Sequence, residues 1–169
     1  MPEYVFDWNK WVPKKVGFVA WRAEKERLPT RVALAERNVR IESDRCVICG
    51  DYAETSDHVF MSCQLAQTVW SIVSQWCKIP TFSAFCIQDV LSMHGGISGS
   101  QKRRNIVQAI VHVTIWSIWN TRNDAVFNSV YPSVPKIIEE VKHMSYLWVK
   151  SRSKDPLITW ETWRCFEGF

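Results

Sequence analysis

Between Cys46 and Cys63 the chain reads CVICGDYAETSDHVFMSC, and four side chains in that run restrict every fold it can adopt. Cys46, Cys49, His58 and Cys63 follow the pattern C-x2-C-x8-H-x4-C. A C-x2-C pair turns two sulfurs toward one point, and zinc takes thiolate and imidazole donors in a tetrahedron. Gly50 follows the second cysteine, where a tight turn calls for a residue tolerant of positive φ. Three thiolates against one Zn2+ leave a residual charge of about −1, because cysteine must lose its proton to ligate. Arg45, next in sequence, can offset part of it. A redox pair is the other reading of C-x2-C, but it leaves His58 and Cys63 without a role, and no βαβ pattern surrounds the pair. A Cys–His nucleophile built from Cys63 and His58 is a further alternative. Four protein donors fill the tetrahedron and leave no position for a reacting water, so the expected ion is one structural zinc. His94, His112 and His143 have no such company and are assigned no metal role.

The 169 residues suit one domain or two small ones, and 47 % apolar against 22 % charged residues can bury a core. Ten tryptophans divide between core anchors and surface contacts. The net charge of +4 permits nucleic-acid binding without arguing strongly for it. The start, MPEYVFDWNKW, has no charged segment followed by an apolar run. A reducing compartment, nucleus or cytoplasm, is therefore expected, with Cys77, Cys86 and Cys165 as free thiols rather than disulfides. The most apolar run, Ile106 to Trp119, is shorter than the roughly 20 residues that span a bilayer and reads as a buried helix.

Residues 8–45 hold most of the positive charge: ten Lys and Arg against five Asp and Glu, a difference of +5. A helix is expected from about Val16 to Leu28, burying Phe18, Trp21 and Leu28. Thr30 is an N-cap for a second helix over RVALAERNV. Trp8, Trp11 and Trp21 are interleaved with the charges, and phosphate contacts plus aromatic stacking are how single strands are commonly held. Lys14, Lys15, Arg22 and Arg31 are the candidate nucleic-acid-binding residues, with RNA or DNA as the partner. A solvated helix face with its tryptophans in the core explains the same residues, and both readings stand at this point.

Thr55, Ser56 and Asp57 offer caps just before His58, which places it in the first turn of a short helix. Gln64 to Cys77 is amphipathic, with Leu65, Val69, Ile72 and Trp76 at helical spacing and Trp70 and Val73 widening the stripe. Residues 82–93 read as another short helix. HGGISGS, residues 94–100, is the expected linker between a domain at 8–93 and a helical region at 101–169. Ser100 caps a long helix, QKRRNIVQAIVHVTIWSIWNTRNDAVF, with Lys102, Arg103 and Arg104 at its start. Ser133 and Pro135 open a last long helix carrying Ile137, Val141, Met144 and Trp148. The tail LITWETWRCF is left open, docked or frayed. The fold class is mainly α, about six helices: a zinc-knuckle-centred helical domain followed by a helical hairpin.

There is no Gly-rich phosphate loop, no G-x-S-x-G and no H-E-x-x-H, and the carboxylates do not set up a two-metal polymerase or nuclease site. Residues 8–77 resemble the zinc-binding domain found downstream of the reverse transcriptase in plant non-LTR retrotransposons (long interspersed elements). The likeness lies in Pro13, Trp21-Arg22, Leu28-Pro29-Thr30, the Cys46/Cys49/His58/Cys63 set, Glu54-Thr55 and Val69-Trp70. The run WSIWNTRNDAVF, residues 116–127, resembles the W-x-x-W-x-x-R-N-x-x-x-F stretch that often follows. The resemblance implies an accessory domain of a polyprotein with RNA-directed DNA polymerase activity, and a reverse transcriptase polypeptide as a second possible partner. It carries over the zinc ligands. It does not carry over polymerase activity, since no polymerase palm, endonuclease or RNase H motif is present, and no enzyme is expected. The chain resembles a severed C-terminal piece of such an element, or the non-functional relic of a decayed one.

Overall fold

The computed structural model describes residues 5–81 and 86–169. In them run seven α-helices: α1 (Lys14–Glu24), α2 (Arg31–Glu36), α3 (Gln64–Trp76), α4 (Ile87–Ser92), α5 (Gln101–Phe127), α6 (Val134–Ser153) and α7 (Trp160–Cys165). A π turn over His58–Ser62 precedes α3, and a 3-10 turn over Met93–Gly96 follows α4. The described residues contain no β-strand, only one antiparallel bridge between Arg45 and Ala53. The protein is mainly α, as the sequence implies.

Helix α5 is the axis. Every residue from Ile106 to Ile115 is buried, because α1, α4, α6 and the π turn all pack against it. A helix with neighbours on most sides needs no polar stripe there. Its buried polar groups are mostly satisfied from outside the helix. Gln108 donates to Asp7 O (2.9 Å) and accepts from Asn9 Nδ2 (2.9 Å), while Ser117 donates to Glu140 Oε2. His112 Nδ1 has no hydrogen-bond partner among the described residues, and its ring stacks on Phe6 at 5.5 Å. No helix among the described residues is long and apolar enough to cross a membrane.

Helices α5 and α6 form the antiparallel hairpin. Lys102 meets Asp155, Trp116 meets Trp148 and Ser117 meets Glu140, so the partner number falls as the chain rises. The buried stripe of α6 is Ile137, Val141, Ser145 and Val149, one residue round from the expected Met144 and Trp148, which are only partly buried. Lys102, Arg103 and Arg104, whose charge opposes the helix dipole at this N-terminus, are held within the fold. Arg103 donates to Cys77 O (3.1 Å) and Lys78 O (3.2 Å) at the end of α3, and Arg104 donates to Ile97 O (2.9 Å). The tail is docked: Trp163 is fully buried, donates Nε1 to Lys142 O (3.1 Å) and accepts from Trp76 Nε1 on its carbonyl (3.1 Å).

Caps expected from sequence are made. Thr30, Ser100 and Ser133 accept from Ala33 N, Arg103 N and Lys136 N. Helix α1 differs from expectation. It ends at Glu24 and buries Val16, Gly17, Ala20 and Ala23, while Phe18 points outward, 48 % exposed. Trp8 covers the inner side, and its ring atoms Cε3 and Cζ3 would stand 3.0 Å from a Cβ at residue 17, so glycine gives the close approach its room. The helix expected over 82–93 begins at Ile87, and residues 82–85 lie outside the described residues. In the segment 94–100, Ile97 is buried and Ser100 caps α5.

Candidate metal centre

The knuckle begins with a tight loop. Gly50 N donates to Cys46 O (2.9 Å), Cys46 N to Tyr52 O (2.7 Å), and Gly50 takes φ +76. That loop turns Cys46 and Cys49 to the same side. Arg45 reaches back to the carbonyl of Asp51 through Nη1, which keeps its charge on the knuckle. Thr55 then caps the next turn, its Oγ1 accepting from His58 N (3.0 Å).

His58 and Cys63 are five residues apart. On an α-helix they would point about 140° apart. The chain instead makes a π turn, with Cys63 N donating to His58 O (2.8 Å), and this i→i+5 bond stacks Cys63 over His58. The result is a cluster in which the three Sγ atoms and a nitrogen of His58 all lie within 4.8 Å of one another. His58 Nε2 faces Cys49 Sγ at 3.3 Å, and Nδ1 lies 3.1 Å from Ser62 Oγ. A ligating histidine normally has its second nitrogen fixed by such a partner. The edges of a tetrahedron with zinc–sulfur bonds of about 2.3 Å are about 3.8 Å, so the set stands close to what zinc requires. The donor chemistry also fits: three thiols and an imidazole, with Cys46, His58 and Cys63 buried.

The donors differ in how firmly they hold their protons. Cys46 holds its proton, pushed far up by its hydrogen bond with Cys63 and by burial. Cys63 is lowered by the same bond, against burial. Burial lowers His58, against the pull of Glu54, which favours the neutral imidazole. A bound dication reverses the preference of Cys46, since a coordinated thiol loses its proton.

Behind the cluster lies Glu54, fully buried. Its carboxylate accepts from Arg31 N (2.9 Å), Val47 N (3.4 Å) and Arg122 Nε (3.1 Å), and pairs closely with Arg122 Nη2. Its carbonyl accepts from Val32 N (3.3 Å). One residue therefore satisfies two orphan N–H groups at the start of α2 and ties the knuckle to α5. Arg122 also lies 4.8 Å from the Trp119 ring centroid, Trp119 packs on Phe60, and Trp70 donates Nε1 to Phe60 O (2.7 Å). Trp119 and Arg122 of the 116–127 run thus act from within. The arginine was the residue that sequence reasoning could not place: its charge signals a surface, and its partner is 68 residues away.

The four basic candidates do not converge. Lys14 is exposed beside a groove with Trp8 and Phe18. Lys15 sits 5.5 Å over the Trp116 ring. Arg22 donates to Arg27 O (3.0 Å), and Arg31 donates to Arg45 O (2.9 Å) beside a different groove, one lined by Leu34, Ile41 and Phe127.

Residues 2–70 match the family described as zinc-binding in reverse transcriptase, and all four donors fall inside that span. No curated protein and no solved structure matches the chain. With the family match over 2–70 and four donors gathered at one point, this part of the chain is similar to the zinc-binding domains of reverse transcriptases.

Proposed function

We propose that the protein is a zinc-stabilised accessory module from the C-terminal part of a retrotransposon reverse transcriptase, that it binds RNA or DNA, and that it has no polymerase activity of its own. The observation that carries the reading is the gathering of Cys46, Cys49, His58 and Cys63 Nε2/Sγ donors within 4.8 Å in a domain of this family. Zinc held there supplies no reaction; it fixes the loop and the π turn as one rigid unit. The basic segment 8–45 that leads into the knuckle is the surface such a module would offer to phosphates.

Two measurements test it. Metal analysis of the purified chain should give one zinc per chain, lost in a Cys46→Ser/Cys49→Ser variant; a folded protein without zinc removes the reading. Titration of the zinc-loaded chain against single-stranded RNA and duplex DNA at two salt concentrations should show binding that weakens steeply with salt. A second reading, docking on a polymerase polypeptide, is favoured by Phe127 and Tyr131, which stand 74 % and 91 % exposed at the turn between α5 and α6. It requires self-association of the isolated chain that Tyr131→Ser relieves, with no salt-dependent nucleic-acid binding.

A further inference from the structure

We infer that the groove between the N-terminal segment and α1 is a seat for a single-stranded polynucleotide, with Trp8 as the platform on which a base stacks and Lys10, Lys14 and Arg152 as its phosphate contacts. The inference rests on the nucleic-acid reading above and gives it a place.

The groove has a volume of about 600 Å³ and is lined by Trp8, Phe18, Val12, Pro13 and the three cations, without a carboxylate. Lys10, Lys14 and Arg152 are exposed, and none is ion-paired among the described residues. Positive charge with no internal partner, set around an apolar floor, is complementary to a strand that has anionic phosphates and flat bases. Trp8 is 49 % exposed, yet it is fixed. Its benzo edge rests on Gly17, Phe6 meets it edge-on at 4.7 Å, and Phe18 meets it edge-on at 5.3 Å. An exposed aromatic already held in place loses little freedom when a base lands on it. The row continues along α1, with Phe18 meeting Trp21 at 6.3 Å and Arg27 lying 5.7 Å from the Trp21 ring centroid. Stacking platforms in a positive groove are the means by which proteins bind single strands with little sequence preference. A duplex hides its base faces and cannot use the platform. Arg152 enters from the far end of α6, so the seat exists only in the folded chain and escapes a reading of residues 8–45 alone.

The test is fluorescence anisotropy with the full, zinc-loaded chain against labelled oligouridylate, oligothymidylate and a short DNA duplex. Both single strands are expected to bind more tightly than the duplex. Trp8→Ala should weaken single-strand binding about tenfold or more, while Trp8→Phe keeps most of it. Lys14→Glu and Arg152→Glu, both at exposed positions, should weaken binding and each lower the salt slope by about one contact. Arg37→Glu/Arg40→Glu, away from the groove, should cost much less. Zinc content and far-ultraviolet dichroism confirm that each variant is folded; should Trp8→Ala fail that check, the two charge reversals decide. Binding in which the groove variants behave as wild type, or in which the duplex is preferred, overturns the groove and leaves the nucleic-acid reading intact. No binding of any probe at low salt overturns both.

Discussion

The knuckle and the α5–α6 hairpin meet at Glu54 and Arg122 but are held by opposite means. Around Ile106–Ile115 the chain is held by apolar burial on all sides, which depends on no ligand. From Arg45 to Cys63 the π turn buries Val59, Phe60 and Met61, but the loop before it rests on hydrogen bonds, candidate metal donors and one buried ion pair. Burial tolerates small losses gradually. Donor sets and buried charges do not, because removing one member leaves the others unsatisfied. The two halves of the molecule should therefore fail differently.

The widest separation is expected from chelation or from Cys63→Ser. Structural zinc in small domains contributes on the order of 10 kcal/mol to folding, so the knuckle should lose its order while α5 and α6 keep theirs longest. Hydrogen exchange resolved by residue would check this, and equal loss of protection throughout would erase the contrast. Next in size is the buried pair. Arg122→Ala leaves Glu54 charged in the interior and should cost about 3–5 kcal/mol in denaturant unfolding. Adding Glu54→Gln should restore part of the loss, and strict additivity would show that the pair is not coupled. A purely apolar deletion of similar cost sharpens the comparison: Trp163→Ala, at about 3–5 kcal/mol, should leave zinc stoichiometry unchanged, whereas Arg122→Ala should lower zinc affinity.

Acid separates the halves a third way. Burial, helped by the nearby His94 and opposed by Asp7, lowers His112 from 6.5 to about 4. The unfolded chain takes up that proton near 6.5 and the folded chain only near 4, so stability is complete above about pH 6.5 and falls as the pH drops through that window. The loss at pH 4 should reach about 3 kcal/mol. His112→Phe should remove this part of the acid limb and leave the zinc-linked part, and an unchanged pH profile would show that His112 does not contribute. Smallest of all, Arg22→Ala, at an exposed side chain bonded to Arg27 O, should change stability by about 0.5 kcal/mol or less.

What sequence could reveal follows the same division. The four donors were legible because metal chemistry demands residue types at short spacings, and Thr30, Ser100 and Ser133 were legible because caps are local. The buried side of α1 was not, because it depends on Trp8 folding back onto Gly17. The Lys102–Arg104 cluster reads as a solvated helix end and Arg122 only as part of the 116–127 run, since what takes them inside are partners far along the chain, at Glu54, Cys77 and Ile97. The docked tail needed Lys142 and Trp76 to become visible.

Cys63 stands at two places at once, among the candidate zinc donors and at the N-cap of α3. The spacing between His58 and Cys63 therefore sets the angular phase of everything that follows in that helix. Shortening the π turn by one residue turns α3 by about 100° about its axis, which would swing Val69, Trp70 and Val73 off the core and carry the indole of Trp70 away from Phe60 O. The metal site thus works as a clocking pin. The number of residues between two ligands decides which side of a thirteen-residue helix faces inward, so an insertion or deletion there would act on packing far beyond the ion.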